Sequence, residues 1–118
     1  MPQITVDYSA TADAAFDRAG FAKALHTAVV EIAAAKPEAC KTLFRAADAT
    51  AYSYDEDGGH IIVHVTFGLL AGRTDETKAK LTEATLELLR DHLKPQGHVL
   101  HASAEVRDLD PSYRKYEG

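Results

Sequence analysis

The chain opens on a clean alternation. Ile4, Val6 and Tyr8 fall on one side of an extended segment, and Gln3, Thr5 and Asp7 fall on the other. That two-residue period predicts a half-buried strand over 3–8, starting almost at the N-terminus. Residues 9–19 are small and polar and read as a loop. From Gly20 to about Ala35 the period becomes helical, with Phe21, Leu25, Ala28, Val29 and Ile32 on one stripe. Lys36-Pro37 ends that helix, because proline disfavours helical geometry in the residue before it. Residues 38–48 carry no clear period, whereas 49–54 (Ala-Thr-Ala-Tyr-Ser-Tyr) suit a strand. The run Asp55-Glu56-Asp57-Gly58-Gly59 predicts a hairpin turn into the next strand.

Alternation returns over 60–69. Ile61, Val63, Val65, Phe67 and Leu69 form an apolar face, and His60, Ile62, His64 and Thr66 a mixed one. Ala71-Gly72-Arg73 links this strand to a second helix. Thr74 serves as its N-cap, and Asp75 and Glu76 suit the positive end of the helix dipole. Leu81, Ala84, Leu86, Leu88, Leu89 and Leu93 supply the apolar stripe, which Lys94-Pro95-Gln96-Gly97 stops. A last strand over 98–107 turns Leu100, Ala102, Ala104 and Val106 inward, and a polar tail follows from Asp110.

The order strand, helix, strand, strand, helix, strand defines an α+β fold. Two β-α-β units form one four-stranded mixed sheet with both helices on one face, by the right-handed crossover rule. The other face, with Ile62, His64, Thr66, His101 and Ser103, is left for subunit association. A length of 118 residues makes this a single domain, 1–118.

Composition narrows the function. A formal net charge of -5 with scattered basic residues argues against a nucleic-acid surface. An anionic substrate would need a local focus of cations. No apolar run approaches the ~20 residues of a membrane span. The N-terminus lacks a signal-peptide pattern, and the one cysteine, Cys40, forms no intrachain disulfide, so a reducing cytoplasm is expected. The chain has no phosphate-binding glycine loop, no zinc spacing and no nucleophile-elbow serine. His60 and His64 share a strand face, but four strand residues span ~13 Å, too far for one metal. They read as strand or interface histidines, as do His26, His92, His98 and His101.

Two residues remain. Pro2 becomes a secondary amine at the head of a strand once Met1 is removed. Burial and nearby cations disfavour its protonated form, and a neutral amine can take and return a proton. Arg73 sits where a strand gives way to a helix N-terminus, a place suited to bidentate carboxylate binding.

The start Met-Pro-Gln-Ile-Thr-Val, the junction Leu70-Ala71-Gly72-Arg73-Thr74 and the late strand Ser103-Ala104-Glu105-Val106 together resemble the 5-carboxymethyl-2-hydroxymuconate Δ-isomerase family, a branch of the tautomerase superfamily. The resemblance spans nearly the whole chain but is poor over 36–50. It implies a homotrimer that moves a double bond in a di- or tricarboxylate, from dienol to unsaturated ketone, without a metal or organic cofactor. Pro2 would shuttle the proton, Arg73 would hold a carboxylate, and Arg45 is the nearest counterpart of a second substrate-binding arginine. The aromatic bulk of the family, often tryptophan, is replaced here by Phe44, Tyr52 and Tyr54. Two other readings fit the same residues: a tautomerase of another 2-oxo acid such as phenylpyruvate, and a non-catalytic oligomeric binding module.

Overall fold

A computed structural model describes residues 1–55 and 58–118. Four strands, β1 (Gln3–Ser9), β2 (Lys41–Ala47), β3 (His60–Leu69) and β4 (Val99–Asp108), and two helices, α1 (Arg18–Ala33) and α2 (Asp75–His92), make up the fold. The strand order is β2-β1-β3-β4. β1 runs parallel to β2, with Gln3 beside Lys41 and Ser9 beside Ala47. It runs antiparallel to β3, with Gln3 beside Gly68 and Tyr8 beside Val63. β3 is parallel to β4. The sheet is therefore mixed and joins two β-α-β units, as the order of elements predicts.

The alternation in β1 and β3 has a direct outcome. Ile4, Val6 and Tyr8 and all five apolar residues of the β3 face are buried. They meet Phe21, Leu25 and Val29 of α1 and Leu81 and Leu89 of α2 in one core. Fully burying each such side chain contributes roughly 1.5–3 kcal/mol. Asp17 caps α1 by accepting from the Gly20 amide at 3.0 Å, so this helix begins two residues earlier than its periodicity shows. Thr74 caps α2 through the Thr77 amide at 3.1 Å.

Two expectations are corrected. The strand predicted over 49–54 is not a strand: β2 occupies 41–47, inside the stretch without a period. β2 is an edge strand whose residues are only partly buried or exposed, and Leu43 is 67% exposed. With no buried face it needs no alternation, so the pattern is silent. Residues 49–54 instead form a loop. Ser9 pins it, meeting Thr50 Oγ1 at 3.1 Å while its own Oγ accepts from the Ile62 amide at 2.9 Å. Tyr52 and Asp55 close a tight turn, with Ser53 at φ 51°. Nor do the glycines after Asp55 make a hairpin, because β1 lies between β2 and β3. Glu56 and Asp57 of the expected turn lie outside the described residues.

The segment expected as a plain loop holds a short 3-10 turn, Ala10–Ala15. Phe16 follows it and is buried against Tyr8, Phe21 and Phe44, with ring centroids 5.4, 5.6 and 5.8 Å away. One aromatic thus joins β1, α1 and β2 beside the core.

Candidate functional site

The parallel pairing of β1 and β2 brings the N-terminus beside the short connection that precedes β2. The Met1 α-amine donates to the Ala39 carbonyl at 3.3 Å, and the Lys41 ammonium donates to the same oxygen at 3.2 Å. Two cationic groups thus converge on one acceptor. Partial burial lowers the pKa of the amine below its ordinary 8.0, and the charges of Lys41 and Lys115 lower it further, against smaller opposing effects of Cys40 and Glu117. Pro2 is buried immediately beneath.

Arg73 reaches the same place from the other β-α-β unit. Gly72 adopts φ 123°, a region glycine enters without strain, and this turns the chain so that Arg73 follows the strand end. Arg73 Nε donates to the Ala33 carbonyl at 3.0 Å and Nη1 to the Leu70 carbonyl at 3.0 Å. Ala33 ends α1, and Ala34 then turns left-handed at φ 58°. Arg73 therefore satisfies an orphan carbonyl at a helix C-terminus, where a cation is favoured. Among the described residues its Nη2 has no hydrogen-bond partner. Met1, Lys36, Arg73 and Lys115 line one cavity of about 300 Å³, whose apolar wall includes Ala34 and Leu70.

Lys115 comes from the C-terminal tail, which folds back over the sheet end. Gln3 Nε2 donates to the Tyr113 hydroxyl at 3.0 Å. Leu109 packs over Gly68, where an added Cβ would lie 2.8 Å from Leu109 Cδ2. Lys36 and Lys115 were invisible to sequence reasoning. One precedes a helix-ending proline and the other lies in a polar tail, and neither position carries a periodic signal.

The structure thus brings the N-terminus and Arg73 to one cavity within a single chain. It does not bring Arg45 there. Arg45 lies on β2 opposite Asp7 and donates to both its carboxylate oxygens, at 2.8 and 3.1 Å. Four strand residues separate that pair from the Gln3–Lys41 pair, a distance of ~13 Å.

A larger cavity, about 370 Å³, lies at the other end of β1. Asp48, Asp55, Thr50, Tyr52 and His60 line part of it. Its carboxylates would repel an acidic substrate. His60 bonds Asp55 through Nε2 and meets His101 Nε2 at 2.9 Å through Nδ1, with Tyr52 stacked on both imidazoles. His64 instead meets Ser103 and Glu105. His60 and His64 do not converge, and no group of three or more His, Cys, Asp or Glu among the described residues could hold a metal. No described helix is long and apolar enough to cross a membrane.

Two β-α-β units in one four-stranded mixed sheet define a fold shared with solved 5-carboxymethyl-2-hydroxymuconate isomerases. The family model for 5-carboxymethyl-2-hydroxymuconate isomerase matches residues 2–117, and the chain belongs to that family. Membership supports an isomerase or tautomerase function. A 5-carboxymethyl-2-hydroxymuconate delta-isomerase structure aligns with 100% of this chain and 89% of its own, at TM-score 0.82 and 17% identity. A 5-carboxymethyl-2-hydroxymuconate isomerase from Deinococcus radiodurans R1 aligns with 98% of this chain and 90% of its own, at TM-score 0.83 and 18% identity. A fused 4-OT symmetric trimer aligns with 92% of this chain and 85% of its own, at TM-score 0.71 and 24% identity. Among curated proteins no sequence match was found.

Proposed function

We propose that the protein isomerises a 2-hydroxymuconate-type unsaturated di- or tricarboxylate, with the amine of Pro2 as acid and base. The observation that carries this reading is the shared cavity of the N-terminus and Arg73. Loss of Met1 would open the cavity to the Pro2 nitrogen. The burial and positive charge that lower the Met1 amine would act on a proline amine one residue further in. Neutral Pro2 takes the enol hydroxyl proton. The oxygen lone pair forms the ketone, the conjugated double bond shifts, and the protonated amine returns its proton to carbon. No atom is gained or lost. Arg73 holds a carboxylate through the donors its main-chain contacts leave over, and the local positive field stabilises the enolate oxygen. The chemistry calls for no metal or organic cofactor.

A homotrimer is part of the proposal, because a related fold is described as a symmetric trimer and the mixed sheet face is uncovered here. A substrate-binding role for Arg45 requires that assembly, at a neighbouring subunit's site, and release from Asp7. The test is intact-mass measurement of the purified protein followed by turnover of 2-hydroxymuconate. Protein lacking Met1 should be active, and Pro2→Ala should lower kcat by about 10²–10⁴-fold. A fully active P2A variant, or activity in protein that keeps Met1, would overturn the mechanism.

A further inference from the structure

We infer that Lys36 and Lys115 form a second carboxylate subsite on the N-terminal cavity, so that the bound acid places one carboxylate on Arg73 and another on these two ammoniums. The inference deepens the substrate class proposed above and takes from that reading only the location of the site.

The argument starts from charge. The chain carries a formal net charge of -5, yet among the described residues this cavity is lined by Lys36, Arg73 and Lys115, and by no Asp or Glu. Elsewhere several cations are neutralised locally. Arg45 is held by Asp7, Arg18 by Asp13, Arg107 by Glu105 and Lys78 by Asp108, at 2.8–3.0 Å. Lys23, Lys80, Arg90 and Lys94 have no ion pair among the described residues and do not line this cavity. What sets this cavity apart is that several such cations share it. Arg73 and Lys41 spend their donors on main-chain carbonyls, which leaves their charge uncompensated. The Lys36 ammonium makes no hydrogen bond or ion pair among the described residues. Among the described residues Lys115 has a partner only in Glu117, two residues on in the same tail, at a longer 3.4 Å. Such a pair is exposed and weak, and an incoming carboxylate can displace it.

Geometry adds selectivity. Arg73 leaves the end of β3, Lys36 follows the end of α1, and Lys115 arrives on the tail that Tyr113 ties to Gln3. Three cations from three elements thus border a cavity of about 300 Å³, a size that suits a small-molecule acid. A monocarboxylate would use Arg73 and leave both lysines in water. A polycarboxylate would engage both sides of the cavity at once, and its affinity would show the extra contacts.

The experiment is calorimetric binding of two unreactive acids, propane-1,2,3-tricarboxylate and butanoate, to the whole protein. Wild type should bind the tricarboxylate more tightly. Lys36→Ala and Lys115→Ala should each weaken the tricarboxylate about tenfold, the effect of losing one charge-assisted hydrogen bond, and should move butanoate less than about twofold. Lys36→Arg and Lys115→Arg should retain the preference. Equal weakening of both acids, unchanged tricarboxylate binding in both alanine variants, or no preference in wild type would overturn the subsite. Pro2→Ala should keep the tricarboxylate preference. Failure of the proline mechanism would therefore appear in turnover and leave this binding result standing.

Discussion

The two ends of β1 handle charge in opposite ways. At the Ser9 end cations are matched by carboxylates, Arg45 with Asp7 and Arg18 with Asp13, and His60 bonds Asp55. Tyr8 is bound there too, donating to Asp13 at 2.6 Å and accepting from Arg18 at 3.2 Å. At the Gln3 end an amine, Lys41, Lys36, Arg73 and Lys115 gather, with main-chain oxygens as acceptors and Glu117 beside Lys115. Paired charges have little left to offer a ligand. Uncompensated ones lower the pKa of a neighbouring amine and attract an acid. Of these two cavities the larger lies at the paired end and the smaller at the unpaired end, so charge rather than volume favours the proposed site.

Breaking the unpaired end should have the largest effects, beginning with the loss of turnover in Pro2→Ala. Arg73→Ala comes next. It removes a charged donor to substrate, and the Michaelis constant should rise about tenfold to a hundredfold. The same change frees the Ala33 and Leu70 carbonyls, so thermal stability should also fall. Arg73→Lys keeps the charge, but one ammonium cannot reproduce the planar fork, and most of the defect should remain. An unchanged Michaelis constant in both variants would remove Arg73 from the site. The lysine subsite predicts a comparable loss confined to polycarboxylates.

Lys41→Gln sharpens the comparison through pH. The Lys41 charge pushes the Met1 amine down, and the proposed mechanism uses the Pro2 amine in its neutral form. Activity should therefore rise with pH through the amine's pKa and then level. Removing Lys41 raises that pKa and should move the ascending limb of kcat/KM to higher pH, with the plateau nearly unchanged. A limb that stays in place would mean that Lys41 does not act on the catalytic group.

The smallest effect lies away from both ends. Burial pushes His26 below its usual 6.5, and its Nε2 meets Thr42 Oγ1 at 2.8 Å between α1 and β2. The unfolded chain therefore binds this proton more readily than the folded one. Stability from neutral His26 is present above about pH 6.5 and is lost as the pH falls below it. His26→Gln can keep the Thr42 contact without titrating. The Tm gap between wild type and H26Q should change by on the order of 1–2 °C between pH 7.5 and 5.5, with wild type losing more. Identical pH profiles would count against the histidine.

Local signals explain which parts were legible. The alternation of β1 and β3, the α2 stripe and the Thr74 cap each reflect burial or capping within a few residues, so the α+β order could be read directly. Pro2 and Arg73 were singled out for a related reason: each stands at an element boundary marked by residue type, proline at the chain start and Gly72 before the arginine. β2 was not legible, because an edge strand with a partly exposed Phe44 and an exposed Leu43 carries no period. Phe16 was hidden in a small-residue stretch, though it is one of the most connected aromatics in the chain.

By itself, then, the sequence determined the order of elements and pointed to two candidate residues, because these depend on periodicity and local chemistry. Only the tertiary structure decided which cations stand together. Parallel pairing of β1 with β2 set Lys41 beside the N-terminus, and the same register carried Arg45 to the far end against Asp7. The fold-back of the tail added Lys115, and the end of α1 added Lys36. Electrostatic neighbourhoods depend on distance through space, and residues 1, 36, 73 and 115 share one only after the chain has folded.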